Sequence, residues 1–217
     1  MAILSGDIAP GDSLPREIQH SAALGVSRTP YREAIRILVA KGLLETRQRA
    51  GTLVLPRERW NVLDPDILAW TFMSEPDAAF IHDLFELRGM LEPGAAGLAA
   101  KRRNTAQVEQ MRAALADMRR HGLATELGQA ADRLFHRLIL EASGNAALAS
   151  LSSSVGAAVQ WTTVYKQQAS EHPRDPMPEH EAVFEAIADG KQKRAADAMR
   201  ELLRFALIDM GIAAGDT

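Results

Sequence analysis

The sequence predicts a mainly α-helical protein with an N-terminal winged helix-turn-helix and a C-terminal all-α antiparallel helical bundle of six or seven helices. Three observations predict it: two short helices around a glycine turn, two short β segments after them, and a long Ala- and Leu-rich remainder with helical periodicity. The 217 residues fit one domain of about 60 residues and one of about 150. We expect domains at residues 1–55 and 67–217, joined by a linker at residues 56–66.

The composition excludes several classes of protein. There is no cysteine, which excludes disulfide frameworks, thiol catalysis and Cys-ligated metal centres. No apolar run in the sequence approaches the roughly 18 residues of a membrane span. The first ten residues also lack the charged and apolar regions of a secretory signal. We therefore expect a soluble, cytoplasmic protein with no membrane partner.

The charge is distributed unevenly along the chain. Residues 1–59 carry nine Lys and Arg against six Asp and Glu, whereas residues 60–217 carry sixteen against twenty-two. A basic head on an acidic body indicates that only the N-terminal segment meets a polyanion.

Two predicted helices in that segment meet at a tight turn. The first begins near Pro15 and ends at Leu24, with Gly25 as its stop. The second is expected to be capped by Ser27 and has Pro30 in its first turn. Two short helices joined in this way form a helix-turn-helix.

The second helix carries a stripe of arginines. Arg28, Arg32 and Arg36 follow one another at four-residue spacing and share one helical face. Arginine is locally unfavourable near a helix N-terminus, and its fork matches both the guanine edge in the major groove and phosphate. A solvated charged face is the alternative that three arginines alone leave open.

The segment after this helix predicts a basic hairpin. Residues 43–46 and 52–55 have the pattern of short strands, and the tip between them contains Arg47, Arg49 and the turn residue Gly51. Such a wing can reach phosphates or the minor groove. Helix, turn, basic helix and basic hairpin together predict binding to double-stranded DNA.

Residues 3–55 resemble the DNA-binding domain of the GntR family. The likeness rests on Gly6-x3-Pro10-Gly11-x2-Leu14-Pro15-x-Glu17, on the run from Leu24 to Ala34 (LGVSRTPYREA), and on Leu38 and Gly42-Leu43. It implies that Arg28 and Arg32 read or clamp the operator, that Ser27 and Thr29 bind phosphate, and that the wing lies beside them. The family's first helix usually begins further upstream than the residues before Gly6 allow. The resemblance therefore predicts either an upstream start or a domain that lacks most of that helix.

The remainder of the chain has helical patterns throughout. We expect helices at residues 64–74, 77–100, 105–121, 126–143, 146–168, 178–189 and 192–211. Trp60 and Trp70 are expected to anchor the head onto the body. The linker, with Trp-Asn and Leu-Asp-x-Asp, is loosely similar to the branch of the GntR family that contains the galactonate-operon repressor.

One constellation in this body suggests chemistry. Asp132 and His136 lie four residues apart on one helical face. A carboxylate and an imidazole inside a bundle form half of a divalent-metal site, and His180 at the start of a later helix is the candidate third ligand. The spacing alone leaves open a surface or hydrogen-bonded pair.

Residues 78–210 resemble the FCD effector-binding domain found in the same family. The likeness rests on Asp132-x2-Phe135-His136-x7-Gly144-Asn145, on Glu179-His180-x6-Ile187-x2-Gly190, and on Ala195-x3-Met199. In metal-binding members an aspartate and three histidines hold a divalent ion above the effector cavity. Asp132, His136 and His180 match, but the last position, 22 residues after His180, is Leu202. The resemblance implies either a weakened three-ligand site for an ion such as Zn or Ni, or loss of the metal.

Arg88 matches an arginine that faces the cavity in this family. The implied effector-binding set is therefore Arg88, Asp132, His136 and His180, with a carboxylate effector paired to the guanidinium. A helical ion pair between Arg88 and Glu92 is the alternative.

These features predict a metabolite-responsive transcriptional regulator rather than an enzyme. We expect a repressor of a sugar-acid or other small-carboxylate catabolic operon that acts as a homodimer on a near-palindromic operator. The sequence has no nucleophile elbow, phosphate-binding loop or dinucleotide fingerprint, and Phe184 breaks the H-E-x-x-H zinc motif. A metal-dependent hydrolase using Asp132, His136 and His180 is the alternative.

Overall fold

The computed structural model describes residues 2–48, 51–74, 76–169 and 173–211, and the chain forms two compact units. The first unit ends at residue 75 and the second begins at Pro76. The predicted limits of 1–55 and 67–217, with a linker at 56–66, stay a prediction about domains. The packing assigns the linker segment and the following helix to the N-terminal unit.

The N-terminal unit is a winged helix-turn-helix followed by two further helical segments. Its elements are α1 (Glu17–Ala23), α2 (Arg28–Ala40), β1 (Leu44–Arg47), β2 (Gly51–Val54), a 3-10 helix (Arg57–Arg59) and α3 (Pro65–Met73). The two strands are antiparallel, with Leu44 opposite Val54 and Arg47 opposite Gly51. The predicted fold class is confirmed for this unit.

Trp60 belongs to the core of the N-terminal unit. It packs with Leu14, Leu43, Leu44, Val54 and Ile67, and Trp70 packs against this cluster from α3. The indole N–H of Trp60 donates to the Leu55 carbonyl at 2.8 Å. Both tryptophans therefore fasten the segment after β2 to the winged helix-turn-helix.

A glycine makes the turn after α2 possible. Gly42 has φ of +77°, and a Cβ there would overlap the Arg59 carbonyl oxygen. Only glycine adopts this conformation without strain, so the turn from α2 into β1 depends on it.

The C-terminal unit is a helical bundle. Its helices are α4 (Ala78–Arg102), α5 (Thr105–His121), α6 (Glu126–Ala142), α7 (Ala146–Ser150), α8 (Ser152–Ala169), α9 (Met177–Ala188) and α10 (Gln192–Ile208). The bounds agree with the predicted segments to within three residues, with two differences. The helix expected at 64–74 as the first of the body is α3, in the N-terminal unit, and the segment expected at 146–168 is divided into α7 and α8 at Leu151.

Helix α6 is central in this bundle. It packs against α4, α5 and α8, while α4 also packs against α9 and α10. Phe135 and Ile139 on α6 are fully buried, together with Met111, Ile187 and Met199 from neighbouring helices. The polar residues of α6 that share its inward face are thereby brought into the interior.

Candidate DNA interface and effector site

The residues predicted to meet DNA lie on the surface of α2 and the turn before it. Ser27, Arg28, Thr29, Arg32 and Arg36 are all exposed. Ser27 occupies the N-cap position, but its side chain makes no capping hydrogen bond, so the predicted capping role of the hydroxyl is wrong.

Glu17 on α1 joins two of these arginines. Its Oε1 accepts from Arg28 Nε at 2.6 Å and its Oε2 accepts from Arg32 Nε at 2.9 Å. Hydrogen bonds from Arg32 and Arg28 lower the pKa of Glu17. The two arginine side chains remain 58% and 56% exposed, so the pairing orients them without covering them.

Sequence reasoning placed Glu17 in the family motif but gave it no role. The bridge depends on how α1 and α2 pack, and the spacing along the chain does not reveal it.

The remaining predicted DNA contacts lie along α2 and on the wing. Arg36 is 74% exposed and pairs with Glu33 one helical turn earlier. Arg47 on β1 is exposed and pairs with Glu45 at 2.9 Å. Gly51 opens β2 with φ of +82°, as a hairpin turn residue requires. Arg49 lies outside the described residues.

The C-terminal unit contains a cavity of about 30 Å³. Arg88, Asp132, His136 and His180, the four predicted effector residues, all line it, and so does Leu202. All four are buried, with at most 4% of their surface exposed.

Asp132, His136 and His180 form one cluster. Asp132 Oδ1 lies 3.1 Å from His180 Nε2 and 3.5 Å from His136 Nε2. One ligand atom from each of the three lies within 4.8 Å of the others. The alternative of a surface pair is therefore wrong, because α6 and α9 bring these groups together in the interior.

Both imidazoles are fixed through Nδ1. His180 Nδ1 lies 2.8 Å from the Pro176 carbonyl oxygen, which only accepts, so this nitrogen carries the proton. His136 Nδ1 contacts Glu92 Oε2 in the same way. A neutral ring in either place directs the Nε2 lone pair at the Asp132 carboxylate. Such an approach is repulsive unless a proton or a metal ion lies between the atoms.

Glu92 connects the cluster to Arg88. Arg88 Nε donates to Glu92 Oε1 at 2.7 Å, and Arg88 Nη1 donates to Thr162 Oγ1 at 3.2 Å. Burial raises the pKa of Glu92, but the charges of Arg88 and His136 outweigh burial and hold the pKa at about 2. The two interpretations of Arg88, a cavity-lining residue and a helical ion pair with Glu92, are therefore both correct.

The acidic partner in the cluster also stays ionised. Burial raises the pKa of Asp132, but the hydrogen bond from His180 and its charge outweigh burial and hold the pKa at about 2. Thr163 Oγ1 donates to the other carboxylate oxygen at 3.1 Å.

The ionic groups in and beside the cavity are not balanced. Among the described residues that form this network, carboxylates outnumber Lys and Arg by one if both imidazoles are neutral. The cations are Arg88, Lys166 and Arg174, and the carboxylates are Glu92, Asp132, Glu179 and Asp209. A buried excess of negative charge is costly, so a divalent ion close to the two Nε2 atoms would be stabilising.

The two units correspond to two known domains. Residues 1–54 match the model for bacterial regulatory proteins of the gntR family, and residues 83–205 match the FCD domain. The chain therefore belongs to the GntR family of transcriptional regulators, in the group with an FCD domain.

Curated relatives match along most of the chain. The galactonate operon transcriptional repressor of Escherichia coli is 34% identical over 85% of this chain and 81% of its own length. The transcriptional regulator LutR of Bacillus subtilis is 32% identical over 91% of this chain and 90% of its own.

Solved structures share the architecture. A GntR protein of Streptococcus agalactiae is 27% identical with a TM-score of 0.53, covering 95% of this chain and 94% of its own. Lar of Listeria monocytogenes has a TM-score of 0.67 at 19% identity, covering 96% and 91%, which supports the fold alone.

These matches establish a DNA-binding regulator and not an enzyme. The families and relatives are transcriptional regulators, and nothing supports the hydrolase alternative for Asp132, His136 and His180. Across the described residues, the helices are too short or too polar to cross a membrane.

Proposed function

We propose that this chain is a cytoplasmic, metabolite-responsive repressor that binds a near-palindromic operator as a homodimer and changes its operator affinity when a small carboxylate binds in the FCD cavity. The observation that carries the proposal is the buried Asp132–His136–His180 cluster beside Arg88, in a chain that also exposes arginines on α2. Buried ionisable groups around a cavity are a candidate binding site because they are costly without a ligand or partner.

At the DNA, α2 is the recognition helix. Arg28 and Arg32 are held side by side by Glu17, and a guanidinium fork pairs with guanine or with phosphate. Ser27 and Thr29 lie at the helix N-terminus, where backbone N–H groups favour phosphate. Arg47 on the wing supplies a further contact with the phosphate backbone of the DNA. A dimer places two such helices at half-sites about one DNA turn apart.

The cavity fits a divalent ion. Asp132, His136 and His180 supply one oxygen and two nitrogen ligands, which suit Zn or Ni. Glu92 and Pro176 hold the two rings through Nδ1, the usual arrangement around metal-binding histidines. When bound, the ion would supply positive charge and open coordination positions for oxygen atoms of an effector. Leu202 occupies the fourth position, so affinity is lower than for a four-ligand site.

The names of the relatives include two classes of metabolite, acids and a neutral sugar. The galactonate operon repressor and a putative L-lactate dehydrogenase operon regulator, both of Escherichia coli, are named for operons that handle hydroxy acids. A probable D-xylose utilization operon repressor of Paenarthrobacter nicotinovorans is named for a neutral sugar. We assign the acid class to this chain because Arg88 and the cluster form a charged site.

The size of the cavity links binding to regulation. A volume of about 30 Å³ holds roughly two or three waters. A sugar acid is larger, so its binding must displace helices that line the cavity. Ligand binding that favours one arrangement changes operator affinity, typically by about 1–3 kcal/mol of coupling.

DNA binding is tested with arginine variants. Arg32→Ala is expected to weaken binding to the specific operator by about 1–3 kcal/mol while effector binding is unchanged. Arg200→Ala is the matched control, because Arg200 is similarly exposed and ion-paired in the other unit. Fluorescence anisotropy on DNA upstream of the gene measures the effect. Equal losses for the two variants would contradict the assignment of α2.

The effector site is tested with Asp132→Ala and His180→Ala. Both are expected to abolish the response of DNA binding to galactonate or L-lactate, with and without chelator, while DNA binding itself remains. Asp197→Ala is a control that removes an exposed carboxylate from α10. An unchanged response in the first two variants would remove the site assignment.

A further inference from the structure

Lys166 is a cavity residue that sequence reasoning did not single out. It lies on α8, lines the cavity and is 5% exposed. Burial lowers its pKa, although nearby Asp209 opposes the effect. A buried ammonium is costly unless a partner is close, so its position calls for one.

The resting partner of Lys166 is loose. Its Nζ lies 3.6 Å from Asp209 Oδ2, beyond a good hydrogen bond. Asp209 is also held by Arg174, whose Nε lies 3.1 Å from the same oxygen. Within the described part of the chain, this ion pair is thus longer than the contacts of Arg88, which donates to Glu92 at 2.7 Å and to Thr162 at 3.2 Å.

The two cations therefore differ in what they can offer a ligand. The Arg88 guanidinium is committed to Glu92 and Thr162. The Lys166 ammonium has three donors, its nearest ion-pair oxygen is that of Asp209 at 3.6 Å, and Asp132 attracts it from further away. Lys166 follows Thr162 by one turn of α8, or about 6 Å along the helix. Thr163, between them in sequence, donates to Asp132. The ammonium is thus about one turn from the metal-ligating cluster along the same wall.

Building on the proposed effector role of this cavity, we propose that Lys166 binds the carboxylate of an anionic effector and that this carboxylate replaces Asp209. The rest of the effector then extends toward Asp132 and the two histidines. Asp209 keeps Arg174 as its partner after the exchange. Because Asp209 is the C-cap of α10, the exchange acts on the end of that helix and gives ligand binding a mechanical effect.

The proposal selects an acid over a neutral sugar. A neutral ligand that displaced Asp209 would leave the buried ammonium without its nearest counter-charge, at a cost that an effector carboxylate avoids. The named relatives include regulators of both acid and sugar operons, so their names do not distinguish an acidic effector from a neutral one. The buried charge of Lys166 favours the acid.

The test compares charge-removing variants at the two partners. Lys166→Met is expected to weaken binding of galactonate or L-lactate by about tenfold to a hundredfold. Asp209→Asn is expected to tighten it by about two- to fivefold, because the internal competitor has lost its charge. Galactonamide and L-lactamide are uncharged probes of matched shape, and their binding is expected to be weaker and the same in all variants.

Lys191→Met and Asp189→Asn are the control pair. These residues form an exposed ion pair at 3.0 Å in the same unit, away from the cavity-lining residues. Isothermal titration calorimetry measures ligand affinity, and thermal unfolding checks each variant. Lys166→Arg keeps the positive charge and is expected to retain the preference for acid over amide. It therefore tests the role of the charge even if Lys166→Met does not fold.

Several results would overturn the proposal. They are equal binding of acid and amide, no binding of either acid by the wild-type chain, or changes of the same sign in Lys166→Met and Asp209→Asn. Operator binding is measured on the same preparations. If the wild-type chain does not bind the operator, the proposed function is contradicted. If it binds the operator but does not prefer the acids over the amides, only the role of Lys166 is contradicted.

Discussion

Replacing Leu202 by histidine tests the metal site most directly. Leu202 lies on α10, is 3% exposed and lines the cavity with Asp132, His136 and His180. Leu202→His places a third imidazole at the position where metal-binding members of the family have one. The variant should therefore bind Zn or Ni more tightly than the wild-type chain.

The expected energies have opposite signs with and without the ion. Without metal, the variant loses about 1.5–3 kcal/mol from burial of the leucine side chain and about 1–3 kcal/mol for an imidazole that lacks a partner. A ligand at about a hundred times its Kd returns about 2.7 kcal/mol, and at a thousand times about 4.1 kcal/mol. The variant is thus expected to be clearly unstable in chelator and to approach wild-type stability in excess metal.

Urea unfolding measures the loss of stability in chelator and its recovery in Zn or Ni. Isothermal titration calorimetry measures the affinity for the metal ion. Leu140→His is the control, since Leu140 is 1% exposed on α6 and is not among the residues that line the cavity. It should lose stability without recovering it in metal. An equal metal-dependent gain for Leu202→His and the wild-type chain would refute the reasoning.

Two further variants test the packing around the site. Glu92→Gln is expected to lower the free energy of unfolding, measured in urea, by about 3–5 kcal/mol. The reason is that one amide oxygen does not replace the two carboxylate oxygens that accept from Arg88 and His136. A loss below about 1 kcal/mol would contradict the buried ion pair. The Glu92 carboxyl has its pKa near 2 in the folded chain and about 4 in the unfolded chain, so its contribution is complete above about pH 5 and is lost as the pH falls toward 2. Acid unfolding followed by circular dichroism should show that the stability of Glu92→Gln depends less steeply on pH than that of the wild-type chain. Gly128→Ala is expected to lower stability in thermal unfolding by at least about 1–3 kcal/mol, because its Cβ would overlap the Gly122 carbonyl oxygen. Wild-type stability in this variant would show that the backbone at Gly122 moves aside at little cost.

The local features of this fold follow from local signals in the sequence. The predicted helix at 105–121 is α5 to the residue, because Asn104 and Gln107 form a capping box and Gly122 ends the helix. The Arg28–Arg32–Arg36 face follows from helical spacing. The break at Leu151 was missed because the apolar pattern continues across it.

The features of the site that the sequence did not predict depend on tertiary packing. Glu92 and His136 are 44 residues apart, and only the contact between α4 and α6 joins them. Lys166 and Asp209 meet because the ends of α8 and α10 are neighbours. A lysine on a largely apolar helix was the available signal for Lys166, but such a lysine commonly extends its ammonium into solvent, so the sequence does not reveal that this one is buried.

The Glu17 bridge has a consequence for how binding responds to salt. One carboxylate already neutralises part of the charge on Arg28 and Arg32, so phosphates that approach this pair displace fewer condensed counterions than two free arginines would. The logarithm of the association constant should therefore fall less steeply with the logarithm of ionic strength than a count of basic side chains suggests. Recognition of bases then contributes a larger share of operator affinity at physiological ionic strength.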